Sequence, residues 1–349
     1  MERKSLYDIS WKVDEPTYRA DPALSYSTLS KYEETGFNNL NNLFEKVETP
    51  SLTFGSAVDS IITGCREEFE ERFMVAEYPS TPDSIVKIVK DIFKEFNTTH
   101  SSLDSIPDSE IIYRATSLGY QPNWKPETRA KVIKEKGKDY YNLLFIAGDR
   151  IILDTKTYQD VCNAVKVLKT SNATKFYFED NNPFDLSIER YYQLKFKGEF
   201  EGIVYRNMAD LIIVNYKEKW ILPVDLKTSS HAEWDFYKSF INWKYQIQAR
   251  LYWRIIRQNL DKDDYFKDFK LLDYKFIVVN KRTLTPLVWG FPFTQTLGTL
   301  KFGKNGQIEM RDPFDIGKEL NYYISNRPSV PIGIKEDSSN DLGKWLNTL

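Results

Sequence analysis

Three consecutive segments dense in β-branched and aromatic residues, SIERYYQLKF, GIVYRNMADLIIVN and KWILPVDLKTS, leave the second half of this chain little choice of architecture. Such runs suit a pleated, largely buried surface, and the KGEFE and YKE between them are long enough only for short turns. They read as a three-stranded meander. A long helix is expected next, roughly residues 234–259, and DYKFIVVNKRTLTPLVWGF reads as a further strand pair. Ahead of the meander, TYQDVCNAVKVLKT (157–170) is expected to be helical. The order and composition predict the α/β class, with a central mixed β-sheet flanked by helices, a helical N-terminal part and an inserted lobe.

The N-terminal part has two helical signals. DPALSYSTLSKYEETG reads as a turn and then a helix started by one of Ser25, Ser27 or Thr28 and stopped near Gly36, with Leu29 and Tyr32 on one face. SLTFGSAVDSIITG places Phe54, Val58, Ile61 and Ile62 at helical spacing and carries one carboxylate, Asp59. Residues 77–150 are polar and punctuated by proline, and read as an insertion or lobe between core elements. Within it, Lys125, Arg129, Lys131, Lys134, Lys136 and Lys138 stand against only Glu127 and Glu135. A solvated helix face is the plainer account of that run, and a DNA-contacting arm the sharper one.

At 349 residues, 41% hydrophobic, the chain can fill one elaborated domain, 1–349, with its core of chemistry at 185–290. Cys65 and Cys162 form no CxxC pair, which excludes a disulfide framework and a cysteine-built metal site and predicts a reducing compartment. No apolar stretch approaches the ~18 residues of a membrane span, and the charged start lacks a signal-peptide core, so a soluble cytoplasmic protein with no membrane partner is expected. With 48 Lys+Arg against 50 Asp+Glu, the net charge of -2 excludes a generic polycation that coats nucleic acid.

Asp210 lies in the apolar run ADLIIVN and Asp225 ends the run WILPVD, fourteen residues apart in between, enough for a strand, a turn and a strand back. That hairpin sets the two carboxylates side by side. Lys227 follows Asp225 by two positions, and strand alternation sends both side chains to one face. Two fixed carboxylates suit a hard divalent ion, and the ammonium can orient or deprotonate a water and offset carboxylate repulsion, which is what phosphodiester hydrolysis requires. Downstream, Gln248 and Tyr252 are four apart and share a helix face, where an amide and a phenol can bond a phosphate or hold the ligands.

A D-x-K alone means little, and Asp154 with Lys156 forms a second, with Asp139 fifteen positions upstream. That copy runs straight into a helix, where Asp154 or Thr155 makes a natural cap. Glu189 could reach the site or form a cross-strand salt bridge, and His100 and His231 pair with no nucleophile.

Over SYSTLSKY, FGSAVDSII, ADLIIV, PVDLKTS and QARLY, about residues 24–290, the chain resembles the PD-(D/E)XK nuclease superfamily, in the branch of phage-type and exodeoxyribonuclease VIII-like exonucleases and RecB-type nuclease domains. The resemblance implies Asp210, Asp225 and Lys227 as catalytic residues. It implies Mg2+ or Mn2+ held by Asp59, Asp210, Asp225 and the Leu226 carbonyl, with Gln248, Tyr252 and Thr228 supporting the site or touching DNA. Many members have G-x-x-x-H where this chain has Gly55 and Asp59, and aspartate serves a hard ion equally well. The implied activity is a metal-dependent deoxyribonuclease, foremost an exonuclease acting on DNA ends in recombination, repair or phage DNA metabolism. The implied partners are DNA and a single-strand annealing or recombination protein, in the host cytoplasm if the gene is a phage's. A structure-specific endonuclease on the same core and a non-catalytic DNA-binding module are the alternatives.

Overall fold

The computed structural model describes residues 3–36, 40, 43, 49–64, 66–77, 81–292, 294, 300–302 and 308–326. Cys65 and the chain beyond Asn326 lie outside the described residues. Two helices open the fold: α1 (Glu15–Ala20), capped by Asp14, and α2 (Tyr26–Thr35). Ser25 caps α2 by accepting from the Thr28 N–H at 3.4 Å, and the helix ends at Gly36, which resolves the three-way choice at its start. Helix α3 (Pro50–Thr63) begins on a Thr49 cap and α4 (Arg66–Arg72) leads into β1 (Phe73–Ala76). Three helices follow, α5 (Asp83–Phe96), α6 (Asp108–Ser117) and α7 (Pro126–Ala147), before β2 (Ile151–Asp154) and α8 (Thr155–Thr170).

The meander is β3 (Ile188–Phe200), β4 (Ile203–Asn215) and β5 (Trp220–Ser229). Its first two strands run further than KGEFE allows, because Glu201 and Gly202, with φ of 52° and 76°, turn the chain in two residues. Both central positions being left-handed matches the twist of the paired strands. The predicted long helix is broken into α9 (Phe236–Asn242) and α10 (Tyr245–Asp261), since Lys244 sits at φ 53° and the Trp243 carbonyl is taken by the Tyr26 hydroxyl at 2.5 Å. No glycine or proline marks that corner in the sequence. Then come β6 (Lys270–Leu271), β7 (Tyr274–Asn280), β8 (Pro286–Phe291), β9 (Leu300–Phe302), β10 (Ile308–Met310) and α11 (Pro313–Ser325).

The main sheet has the order β3-β4-β5-β7-β8, with β6 also paired to β5. All of its pairings are antiparallel except those of β5 with β7 and β6, so the sheet is mixed, as expected. A parallel step needs a crossover, and α9 and α10 provide it between β5 and β7. Both faces are covered. Ile212, Val214 and Val278 pack with α2, α10 and α11, while their neighbours Ile213 and Val279 pack with α3 and α8. Burial on both sides explains why these strands read as continuous apolar runs.

One irregularity interrupts the hairpin of β3 and β4. Tyr192 packs with the α3 and α8 side, yet Leu194, two residues on, belongs to the α10 side; Leu211 and Ala209 on β4 divide the same way. Between them stand Gln193, with φ 53°, and Asp210 on the partner strand. A left-handed residue inside a strand reverses the faces, at a cost of about 1 kcal/mol or more for a non-glycine.

Helices α5, α6 and α7 enclose their own core, with Ile85, Ile88, Val89 and Ile92 against Ile133 and Tyr141. The strands at its ends, β1 and β2, pair in parallel. Of the basic run on α7, Arg129 is buried, Lys134 is 2.6 Å from Asp108, and Lys138 is 2.7 Å from Asp104. Three of the six basic residues thus have their nearest partners within the lobe, the Lys138–Asp104 pair at its surface. Among the described residues no helix is long and apolar enough to cross a membrane.

Candidate active site

The ladder between β4 and β5 stops at Leu211 and Val224, one step short of Asp210 and Asp225. Where the next backbone acceptor would be, the Asp210 carboxylate takes the Leu226 N–H at 2.9 Å. Asp225 is wholly buried and is gripped from two directions. Gln248, one of the inward residues of α10, donates Nε2 to its Oδ1 at 2.5 Å, and the Lys227 ammonium lies 2.6 Å from its Oδ2. The Lys227 contact is a pairing of charges outside hydrogen-bond angles, so Oδ2 keeps an acceptor direction open. Gln248 Oε1, beside it, is buried without a hydrogen-bond partner.

Asp59 comes from α3, which packs with α8 on one face of the sheet. Its helix comes close because residue 55 is glycine: a Cβ there would stand 3.1 Å from the Thr228 hydroxyl oxygen. The Gln193 amide donates to both oxygens of Asp59, at 3.3 and 3.1 Å. Burial, and then repulsion from Asp225, push the Asp59 carboxyl up to about 6, against the opposing pull of Arg72 and Lys227. Burial followed by repulsion from Asp225 and Asp59 holds Asp210 well above the usual carboxylate range. Burial works against the Lys227 ammonium, but Asp225, Tyr245 and Asp210 outweigh it and raise its pKa above the ordinary lysine value.

The hairpin, the crossover helix and α3 therefore bring Asp210, Asp225, Leu226, Lys227 and Gln248 together, with Asp59 in Coulomb range. Among the described residues no three acidic, histidine or cysteine side chains converge as a metal-ligand trio. The donors that do gather are two carboxylates and the Leu226 backbone, hard oxygen chemistry of the kind Mg2+ and Mn2+ take. Tyr252 is buried on the same helix face as Gln248, its ring 6.4 Å from that of Tyr274. Thr228 faces α3.

Sequence reasoning missed three neighbours. The Tyr245 ring centroid is 4.8 Å from the Lys227 ammonium, and Tyr26 packs 6.5 Å from Tyr245, so two phenols wall the lysine. The signal for Tyr245 was its spacing, three before Gln248 and seven before Tyr252. Gln193 had no signal. The rival Asp154 lies on β2, outside the main sheet, and caps α8 by accepting from the Thr157 N–H at 2.9 Å and hydroxyl at 2.6 Å. Glu189 is spent on Arg3 and Tyr191, and His231 on Ser239 at 2.8 Å. A cavity of about 670 Å³ between α3, α4, β1 and α8, lined by Ile61, Phe69, Phe73 and Tyr158, contains none of these site residues.

No family model matches the chain, and no curated protein matches it. Among solved structures it is similar to a crystal structure titled "Putative exonuclease" from Eubacterium rectale, at 14% identity and a TM-score of 0.42, over 82% of this chain and 80% of that one. A second, SSO0001, matches at 11% identity and a TM-score of 0.24, over 80% and 86%. Likeness this distant carries no function, which has to be read from the residues themselves.

Proposed function

We propose that this protein is a metal-dependent DNA nuclease, foremost an exonuclease. The observation that carries the reading is the pair of acids where the β4–β5 ladder stops: the Asp210 carboxylate takes the Leu226 N–H at 2.9 Å, and the buried Asp225 carboxylate stands beside the Lys227 ammonium at 2.6 Å and repels Asp210. Two neighbouring carboxylates with an ammonium beside them offer the hard oxygen donors a divalent cation takes. Asp210, Asp225 and the Leu226 carbonyl would hold it, with Asp59 at the outer edge. A divalent ion there supplies charge neutralisation on the scissile phosphate and a more acidic water.

The chain's own residues do the rest. Gln248 and Lys227 fix the Asp225 carboxylate from both sides, so that its oxygens do not reorient as charge builds. Lys227, paired with Asp225 at 2.6 Å, stands where its ammonium can hold a water or a phosphate oxygen beside the two carboxylates. The phenol walls of Tyr26 and Tyr245 keep it desolvated and aimed. Asp210 carries the contact between β4 and β5 one step past the last backbone pair, by accepting from the Leu226 N–H.

The test is incubation with Mg2+ or Mn2+ and end-labelled linear against covalently closed circular DNA, beside the Asp225→Ala variant. Loss of the linear form alone supports the exonuclease. Loss of both forms supports an endonuclease, and loss of neither removes the catalytic reading. Digestion that persists in Asp225→Ala would place the chemistry elsewhere.

A further inference from the structure

We infer that Gln193 is a positioning residue, kept in a left-handed backbone conformation so that its amide can hold the Asp59 carboxylate toward the Asp210 and Asp225 pair. The inference rests on the nuclease reading only for the use it gives Asp59.

Position 193 lies in the middle of β3, in the step of the ladder opposite Asp210, where the pairs Tyr192–Leu211 and Leu194–Ala209 flank it. A strand interior has no geometric need for φ 53°. The chain places glycines (Gly36, Gly119, Gly148, Gly202) and longer residues (Gln121, Glu201, Lys219, Lys244, Leu284) at positive φ in turns and at helix ends, but among the described residues Gln193 alone has it inside a strand. The amide goes to Asp59 through two contacts from one nitrogen, 3.3 and 3.1 Å. The strain and the contact coincide at the position that faces Asp210 and nowhere else along the hairpin's paired length; the other left-handed residues there, Glu201 and Gly202, form its turn. Glycine or asparagine would take φ near +55° without penalty or with little, and what glutamine adds there is an amide that reaches Asp59.

The reversal of faces adds a second consequence. Because β3 and β4 exchange sides at this step, the side chains of Gln193 and Asp210 stand at the seam between the two cores, where α3 can reach them. Straightening β3 would keep Gln193 on a single face and withdraw it from Asp59. Backbone conformation and amide thus serve one end, which is to bring an acid from α3 to a pair of acids on β4 and β5.

The variants that separate function from fold are Gln193→Gly, which frees the backbone and deletes the amide, and Gln193→Met, which keeps length and strain but cannot donate. Gln193→Asn relaxes the backbone and leaves an amide one methylene too short. Thermal unfolding is expected to show Gln193→Gly and Gln193→Asn at or above the wild-type midpoint and Gln193→Met near it. Calorimetric titration with Mn2+, without DNA, is expected to show affinity falling about tenfold or more in all three, the usual effect of losing an outer-shell partner. Wild-type Mn2+ affinity in Gln193→Met overturns the inference. If wild type itself takes up no Mn2+, the nuclease reading fails, and crystal structures of wild type and Gln193→Met then decide this point alone. An Asp59 carboxylate that swings away in Gln193→Met sustains the positioning role, and one that stays within about 0.5 Å overturns it.

Discussion

Replacing Asp59 by asparagine should make the metal-free protein more stable, and the gain should depend on pH. Asp59 is held between α3 and the hairpin with its pKa raised to about 6, chiefly by burial and then by Asp225. An acid whose folded pKa lies above its unfolded one binds protons better in the folded state. Its contribution to stability is fully present below the unfolded pKa near 4 and is lost as pH rises through 6. The rise from 3.8 to about 6 corresponds to about 3 kcal/mol lost by neutral pH, at about 1.4 kcal/mol for each pKa unit. Asparagine carries no charge to titrate and still offers an oxygen to Gln193. Urea denaturation in a chelating buffer, from about pH 4 to about pH 8, should therefore show wild type weakening across pH 4 to 6, with a shallower decline in Asp59→Asn. At pH 7 the variant should lead by up to about 3 kcal/mol. Divalent metal should then narrow the gap, since it stabilises the carboxylate and not the amide. Parallel profiles for the two proteins would falsify the placement of Asp59 in a repelling cluster.

Asp225→Ala and Lys227→Ala should each abolish cleavage of a labelled duplex while leaving DNA retention on a filter near wild type; a wild-type rate in either moves the chemistry elsewhere. Asp154→Ala should keep the rate and lose only a helix cap, about 1 kcal/mol in denaturant titration. Since Arg129, Lys134 and Lys138 are engaged within the lobe, converting the exposed Lys131 and Lys136 to glutamine should leave the slope of log affinity against log salt unchanged. A flattening of about 0.9 per lysine would reinstate α7 as a DNA arm. Gly55→Val should lower the thermal midpoint by the equivalent of about 1–3 kcal/mol, because its side chain must displace Thr228 or lift α3 from β5.

What was legible in the sequence was whatever leaves a periodic or short-range trace. The meander showed in the density of Ile, Val and Tyr, and the proximity of Asp210 and Asp225 followed from the length of the turn between their strands. The shared face of Gln248 and Tyr252 followed from helical spacing, and Ser25 was among the three named caps. Hidden were the features that tertiary contact imposes against local preference. Nothing near Lys244 foretells a helix corner, because the corner is fixed by Tyr26, far back in the chain, reaching the Trp243 carbonyl. Gln193 is an ordinary strand residue by composition, and its left-handed backbone goes with a contact to Asp59, distant in sequence, and with the exchange of faces between the two cores. Arg129 looked solvated within a basic run, yet it is buried on α7, with its guanidinium turned to the Tyr120 carbonyl.

The parallel pairing of β1 with β2 ties the lobe to the rest in a way that an ordinary surface insertion is not tied. Antiparallel neighbours can be rejoined by a two-residue turn, whereas parallel ones need a connection that travels back the length of a strand. Excising residues 77–150 and splicing the ends would therefore break the Phe73–Ile151 to Ala76–Asp154 zipper. With it would go the Asp154 cap and the anchorage of α8, whose Val161 and Leu168 line the underside of the main sheet. A single proteolytic nick inside the lobe, by contrast, leaves both strands zipped and the sheet floored, so a protein cut there should stay assembled where a trimmed one would not.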